Sequence, residues 1–385
     1  MPSDHQPSKL RVAVIGAGPA GLGAAIEFHK LPFVDLQVYE QAKELREVGA
    51  GISIQRNTWR MLDALGVYDN IDPKNIFRAP DGHSVQHRLR LSSRLTEVTE
   101  LPSGRLSLSF EDGHSDEVDL VVGADGVRSV VRQHAFPDHR ISYTGTTAYR
   151  GLVNSQEILS IKGFPDAVTF WHGPTRWLYT CNLNNNIYEV TARTDLPDDG
   201  KTVSWGQDAN IDDIRDRYDE FSPVVKEVLS KVKEVKKFAL FAGPRLSSVI
   251  HGDAIALIGD ASHPLSGAFG AGAGFALEDV YVLTQAVKWA HERGYPVRDA
   301  LEIYDRVRSP HYEAMYNILD KFGQSNEAVR NAVSFDEAVE ITIKSKWADQ
   351  YGWLYHYDVQ EDWKKAYEEE DARRAKQKGE VSSRL

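Results

Sequence analysis

Residues 11–21 read Arg-Val-Ala-Val-Ile-Gly-Ala-Gly-Pro-Ala-Gly. Arg11–Ile15 is a strand-sized apolar run, and it breaks directly into Gly16-Ala17-Gly18-Pro19-Ala20-Gly21. Leu22–His29 follows with the Ala and Leu content of a helix, and Leu36–Tyr39 is a second apolar run ending at Glu40. Strand, glycine turn, helix and strand make a βαβ unit. In such a Gly-x-Gly-x-x-Gly turn the backbone comes close to a pyrophosphate, and the following helix offers free N–H groups and the positive end of its dipole. Gly16 belongs to the turn itself. Gly18 removes the side chain that would block the phosphates, and Gly21 lets helix and strand pack closely. Glu40 stands where an acid accepts a bond from a ribose 2′-OH, which argues against a 2′-phosphate there. The plain alternative is a glycine-rich turn before an ordinary helix. This motif alone leaves NAD and FAD open.

Two later motifs decide between them. Leu120–Val122 is a short buried strand leading into Gly123-Ala124-Asp125-Gly126-Val127-Arg128-Ser129. Ala254–Ile258 is another, leading into Gly259-Asp260-Ala261-Ser262-His263-Pro264 and then Gly270-Ala271-Gly272-Ala273-Gly274. A flavin dinucleotide carries a ribityl chain with free hydroxyls, and Asp260 at a strand end is placed to accept from them. A helix opening near Gly274 would set N–H groups beside the flavin edge where negative charge develops on reduction. Glycines there let backbone lie against the ring. Singly, Asp125 reads equally as a turn Asp-Gly and Asp260 as a helix N-cap. Together, and downstream of the first motif, they favour FAD.

The rest of the chain frames these motifs. Gly49–Ile54 is a glycine-rich extended stretch, Asn57–Leu65 is helical, and Asp69–Arg90 offers no clear element. From about Tyr143 the pattern changes to antiparallel strands at Val168–Trp171, Trp177–Leu183 and Tyr188–Arg193, with a helix over Ile211–Val232. A long helical region is expected over Glu278–Phe322, and the charged end Lys364–Lys378 reads as a solvated helix or frayed tail. The expected organisation is a first FAD-binding part at 8–142, a β-rich substrate domain at 143–245, a second FAD-binding part at 246–325 and a helical, charged tail at 326–385. Nucleotide-type motifs on both sides of a β-rich middle make this an α/β fold with interlocked domains.

Composition narrows the class. The chain has 385 residues, enough for a large core, with a net charge of -11 that argues against nucleic acid as a partner. Its single cysteine, Cys181, cannot form an internal disulfide, which fits a reducing compartment. No apolar run has the length of a membrane span, and no metal site is assigned. Met1–Leu10 is polar and reads as a disordered lead-in, not a signal peptide. Ser383-Arg384-Leu385 is similar to the Ser-Lys-Leu peroxisomal address, dividing the expected location between cytosol and peroxisome. Oligomeric state stays open, with a homodimer among the options.

Over Arg11 to about Asp358 the chain resembles the group A flavoprotein monooxygenases, the single-component aromatic hydroxylases, and within them the fungal salicylate-hydroxylase-like branch. The three motifs at Gly16, Asp125 and Asp260 carry the resemblance. It implies a para-hydroxybenzoate-hydroxylase-like fold, in which a Rossmann-like FAD-binding domain interlocks with a β-sheet substrate domain and C-terminal helices. It further implies FAD as cofactor and NAD(P)H as a transient reductant. Oxygen would form a flavin C4a-hydroperoxide that hydroxylates an electron-rich aromatic substrate. By resemblance, Glu40 binds the adenosine ribose, Gly51 lies near the FAD, and Arg88 and Asp125 help hold it. Asp260, Gly270, Gly272 and Ala273 line the ribityl and isoalloxazine part.

The sequence also departs from that pattern. A helix-sized block is missing after His87-Arg88-Leu89, which raises the alternative of a catalytically impaired FAD-binding remnant. Trp177 and Cys181 stand where branches of the family carry His and Tyr, and Tyr179 shares their strand face. Arg150 matches an arginine that some branches use to hold a phenolate; the blander reading is a salt-bridge arginine. The proline common after the Gly-Asp motif is replaced near Ser266-Gly267, which makes His263 a candidate acid/base against a structural reading. Arg150, His263 and Tyr179 are therefore the catalytic candidates. Tyr351–Tyr357 reads as a packing or interface patch. A plain NAD-dependent dehydrogenase would give the later motifs no task, and a flavin halogenase would need a Trp-x-Trp signature that Trp171 and Trp177 do not provide.

Overall fold

The computed structural model describes residues 9–45, 56–66, 88–173, 176–197, 205–265, 270–347, 354 and 356–382. Strand β1 (Leu10–Ile15) runs into helix α1 (Pro19–His29) and returns through β2 (Val34–Tyr39), which pairs parallel to β1. Helix α2 (Arg56–Ala64) and the short β3 (Leu89–Arg90) follow, and β3 adds parallel to β2. Strands β4 (Leu95–Glu100), β5 (Leu106–Phe110) and β6 (Ser115–Val118) form a separate antiparallel meander. Then β7 (Leu120–Gly123) inserts on the other side of β1 and leads to the short α3 (Val130–Ala135).

The chain next builds a second sheet. It contains β8 (Ser142–Asn154), β9 (Thr169–His172), β10 (Trp177–Asn182), β11 (Ile187–Asp195), β12 (Trp205–Ala209) and β13 (Val235–Ala242). Its order is β12-β13-β8-β11-β10-β9, antiparallel throughout. Helices α4 (Ser155–Leu159), α5 (Asp212–Arg215) and α6 (Pro223–Lys231) accompany it. Only afterwards does the chain complete the first sheet, with β14 (Ile250–His251) and β15 (Ile255–Leu257), to give the order β14-β15-β7-β1-β2-β3. Helices α7 (Gly272–Glu292), α8 (Val297–Arg330), α9 (Phe335–Trp347) and α10 (Val359–Ser382) close the chain. The fold is the expected α/β one: a Rossmann-like parallel sheet, interrupted in sequence by an antiparallel sheet and followed by C-terminal helices.

The parallel strands are apolar on both faces because both faces are covered. Val12, Val14, Val122 and Ile258 pack on Ala24 and Phe28 of α1 and on Val280 and Leu283 of α7. Ala13, Ile15, Val121 and Leu257 pack on Leu95, Leu108 and Phe110 of the meander. Each fully buried aliphatic side chain of this kind contributes about 1.5–3 kcal/mol before its ordering cost. In the second sheet, Leu178, Tyr188, Val190 and Ala192 face Ile158 of α4, Ile214 of α5 and Val228 of α6. Strand alternation turns Trp177, Tyr179, Glu189, Thr191 and Arg193 to the opposite face, which among the described residues is free of the helices α4, α5 and α6 and is called the helix-free face below.

The structure corrects one sequence expectation and sharpens two others. Ile211–Val232 is not one helix. It breaks into α5, a 3-10 turn at Asp216–Tyr218 and α6, because Ser222 caps the Val225 N–H and Pro223 cannot continue an earlier helix. The long region after Glu278 is two helices, parted where Gly294 takes φ +68 and Pro296 precedes α8. The charged end forms the helix α10, which sets Trp363 and Ala366 into the main core. Of the Tyr351–Tyr357 stretch, residues 351–353 and 355 lie outside the described residues, while Leu354 is buried in the core and Tyr357 packs against it.

Candidate active site

Register places the three motifs together. Ile15 stands level with Tyr39 on β2 and with Gly123 on β7, and Gly123 stands level with Leu257 on β15. The residues that follow, Gly16–Gly21, Glu40, Ala124–Asp125 and Gly259–Asp260, therefore line one edge of the sheet, at the carboxyl ends of adjacent parallel strands. Ligands of open α/β sheets bind at that edge.

The three glycines of the first motif divide their work. Gly16 has φ +102, and a Cβ on it would strike the carbonyl of Ala124. A Cβ on Gly21 would run into the carbonyl oxygen of Gly16, so that position is glycine for packing. Around Gly18 a Cβ would meet nothing within 4 Å. Helix α1 opens right there, with Gly18 at its N-cap, Pro19 in its first turn and no side chain capping it. Its first N–H groups thus point at open space that suits an anion. Glu40 closes the same turn: one carboxylate oxygen accepts from the Ala17 N–H at 2.7 Å and the other from the Ala42 N–H at 2.7 Å.

Asp125 is occupied locally. It accepts from the Ser129 hydroxyl, from the Val130 N–H at 2.7 Å and from the Val131 N–H at 3.3 Å, shaping the turn into α3. Burial raises its pKa, and the bonds from Ser129 and the backbone oppose that rise.

Asp260 differs. Among the described residues its carboxylate accepts no hydrogen bond, and its Oδ1 lies 3.7 Å from where a Gly272 Cβ would be. Burial pushes its pKa up to about 6, against the nearby Arg132 charge. It faces the start of α7, which also has no side-chain cap. Gly272 and Ala273 form that first turn, and Gly270 precedes it with φ +64.

Two features that hold this edge were not legible in the sequence. Buried Arg132 donates to the carbonyls of Ala261 at 2.8 Å and Asp260 at 3.2 Å and to that of Val127, tying the second and third motifs together. Below Gly259 lies a buried ionic network. Asp279 accepts from the Gly259 N–H at 2.9 Å, from Tyr312 at 2.6 Å and from Arg308 Nε at 2.8 Å. Arg308 Nη2 pairs with Glu278 at 2.9 Å, and Glu278 accepts from Asn57 of α2 at 2.9 Å. A Cβ on Gly259, with φ +57, would press on Ala20 at 3.1 Å and Ala276 at 3.2 Å, so this loop is wedged between α1 and α7. The only sequence signal was the Glu-Asp pair that ends the Gly270–Asp279 run.

Residues 81–318 match the family described as FAD binding domain, well over half of the chain. This protein belongs to that FAD-binding family and is an FAD-dependent monooxygenase. A salicylate hydroxylase of Pseudomonas putida is 27% identical, with 92% of this chain and 93% of the relative covered. An FAD-dependent monooxygenase of Beauveria bassiana is 26% identical, covering 91% of this chain and 95% of the relative. The solved structure of a salicylate hydroxylase substrate complex superposes with a TM-score of 0.75 at 23% identity, over 93% of this chain and 98% of that one.

FAD fits the edge this monooxygenase presents. The uncapped α1 terminus beside Gly18 suits its pyrophosphate, and Glu40 suits an adenosine ribose hydroxyl. The unengaged Asp260 carboxylate, facing the start of α7, suits the ribityl hydroxyls. Gly51 lies outside the described residues. Arg88 goes elsewhere: its guanidinium pairs with Asp35 at 3.0 Å, near the beginning of β2 and away from the end that carries Glu40. The reason is the parallel pairing of Leu89 with Val38, which sets Arg88 below the binding edge.

Of the three catalytic candidates of the monooxygenase, Arg150 and Tyr179 share one face of the second sheet, level with Thr191 on either side of β11, while His263 follows β15 of the first sheet. His263 is buried at 3% exposure, with its ring stacked on Tyr312 at 3.5 Å. Burial, and the Arg308 charge, hold its pKa well below the usual range, so it is a neutral packing group and not a substrate-side acid. Arg150 is neutralised: Nε lies 3.1 Å from Oε1 of buried Glu189 and 3.4 Å from Thr191 Oγ1. Tyr179 is on the helix-free face as expected, tilted against Phe170 at 5.0 Å.

Proposed function

We propose that the protein hydroxylates a phenolic or aromatic-acid substrate, using NAD(P)H and O₂. The observation that carries this reading is the register of β1, β2, β7 and β15, which lines up Gly18, Glu40 and Asp260 along one sheet edge. Bound FAD supplies the redox chemistry, accepting reducing equivalents from the nicotinamide and activating oxygen for transfer to the substrate ring. The chain's own part is binding, orientation and exclusion of water. The α1 terminus neutralises the pyrophosphate, and Glu40 fixes the adenosine end. Above a pH of about 6 Asp260 is ionised and accepts from the ribityl hydroxyls. The uncapped α7 terminus adds positive potential where negative charge gathers on reduction. The helix-free face of the second sheet, with Trp177, Tyr179 and Phe170, offers an aromatic surface for a ring substrate.

The named relatives support aromatic chemistry in proteins of this length, the salicylate hydroxylase and the 3-hydroxybenzoate 6-hydroxylase of Polaromonas naphthalenivorans among them. The test is direct. Purified protein loaded with FAD is mixed with NADH or NADPH and a panel of phenols and aromatic acids, while coenzyme oxidation and hydroxylated product are followed. Product from at least one substrate, in proportion to coenzyme consumed, is expected. A protein that holds FAD yet yields only peroxide for every ring compound would defeat the reading.

A further inference from the structure

On the helix-free face of the second sheet, one arginine carries a charge that no described residue answers. Arg193 stands on β11 between Ala148 of β8 and Trp177 of β10. Its guanidinium lies over the Trp177 ring at 5.4 Å, and among the described residues it makes no hydrogen bond or ion pair. Burial draws its pKa down, and the only group pulling the other way is Asp195. Asp195 sits on the same strand face, but its carboxylate accepts from Thr146 at 3.2 Å and is outside ion-pair range of Arg193. The neighbouring Arg150 is different, since Glu189 cancels it at 3.1 Å. A desolvated cation without a counter-charge is costly, and a charged, bidentate acceptor offsets that cost.

The second sheet touches the second motif where Phe241 meets Arg128. Tyr316 of α8 lies beside His263 and feels the charges of Asp260 and Arg132. Phe335, the first residue of α9, lines a cleft at the β9 edge of the sheet with Phe170, Trp171, Phe221 and Val225. From the first sheet, Arg128 of the second motif reaches over Phe241 of β13 at 5.0 Å.

We propose that Arg193 is the anion-binding residue of the substrate site: it holds the carboxylate of an aromatic acid, with Trp177 fixing the guanidinium plane. The carboxylate takes both Nη donors in a forked pair, a geometry lysine cannot copy. Trp177 keeps the guanidinium from rotating, through a cation–π contact. The proposal rests on the aromatic-hydroxylase reading and narrows it: the substrate is an anion, and Arg193, not Arg150, is what selects it.

The test uses the FAD-loaded full chain and two probes of equal shape, 2-hydroxybenzoate and the uncharged 2-hydroxybenzamide. Binding is read as the perturbation of the flavin absorption band, which needs no turnover. Arg193→Met is expected to weaken the carboxylate about 30-fold or more and leave the amide within about twofold. Arg193→Lys is expected to recover part of the loss, and Arg150→Met to cause a smaller one. Equal losses for both probes would mean that Arg193 only supports the sheet, and an unchanged carboxylate affinity would mean that it does not touch the ligand; either overturns the assignment. If wild type hydroxylates neutral phenols while Arg193→Met still binds the acid normally, the assignment fails and the hydroxylase reading stands. If wild type forms no product but the charge-selective loss is seen, the hydroxylase reading fails and the anion site stands.

Discussion

The Gly259 N–H donates to the buried carboxylate of Asp279 at 2.9 Å. That one bond joins the turn of the third motif to the helix that follows it, and through Arg308 and Glu278 it reaches Asn57 on α2. The loop presenting Asp260 is therefore held from beneath by an ionic network with no water access.

Removing the centre of that network has a defined cost. Asp279→Ala leaves Arg308 with Glu278 alone and leaves the Gly259 N–H and Tyr312 hydroxyl without their acceptor. The expected loss is about 3–5 kcal/mol of stability, as for other broken buried ion pairs. Thermal unfolding of the apo and FAD-loaded forms checks it. The loaded form should lose more, because the Asp260 loop is no longer fixed.

The glycines of the first motif should separate by phenotype. Gly18→Ala adds a methyl into open space at φ -72, where alanine is unstrained. It should melt like wild type and bind FAD about tenfold or more weakly. Gly21→Ala drives a methyl into the Gly16 carbonyl, and should lower stability by about 1–3 kcal/mol before any binding is measured. Melting curves and FAD titrations on the two variants decide whether Gly18 faces the cofactor.

FAD affinity should depend on pH through Asp260. Burial raises its folded pKa to about 6, above the ordinary 3.8 of an aspartate. In the apo protein the folded state therefore holds the extra proton, so this group's contribution to stability falls as pH rises through that interval and is gone above about 6. Ribityl hydroxyls donate to the ionised form, so FAD binding should tighten from pH 5 to 7 and level off beyond. Asp260→Asn should bind weakly and without that slope. Fluorescence titration of FAD across the pH range gives the answer.

One buried acid of the C-terminal helix gathers three arginines. Glu370, 3% exposed, meets Arg306 at 3.2 Å, Arg373 at 2.5 Å and Arg374 at 2.6 Å, while Arg374 also reaches Asp299. Hydrogen bonds from Arg373 hold its pKa down at about 2. A depressed carboxylate pKa gives stability that is present above about 4.5 and is lost as pH falls toward about 2. Glu370→Ala should cost about 1–3 kcal/mol and expose α10 to protease. Thermal unfolding followed from pH 7 down to about 2 measures the first effect, and limited proteolysis at pH 7 the second.

What could be read from the sequence, and what could not, divides along chain distance. The strand ends at Ile15, Tyr39, Gly123 and Leu257 are marked locally, by apolar runs that stop at glycine or acid, so the strands themselves could be read before their order in the sheet was known. Partners chosen by tertiary packing were invisible. Nothing near Arg88 indicates Asp35, and nothing near Arg150 indicates Glu189, because strand register and sheet order decide both pairs. His263 follows the Asp260 motif in sequence, yet its ring turns inward onto Tyr312, half a helix away in a different element. Arg193 is equally silent in the sequence, since a lone arginine in an alternating strand has the pattern of any solvent-facing residue.

The sheet that carries the cofactor edge is finished late. Val121 finds Ile255 as its partner only after the whole second sheet has been synthesised. A nascent chain that has emerged as far as β13 exposes one flank of β7 and has no Asp260 to offer. Flavin capture thus belongs to the last stage of biosynthesis, and long-range strand closure of this kind is slow. Until β15 docks, the half-built nucleotide fold has an open apolar edge, the kind of surface through which incomplete chains aggregate.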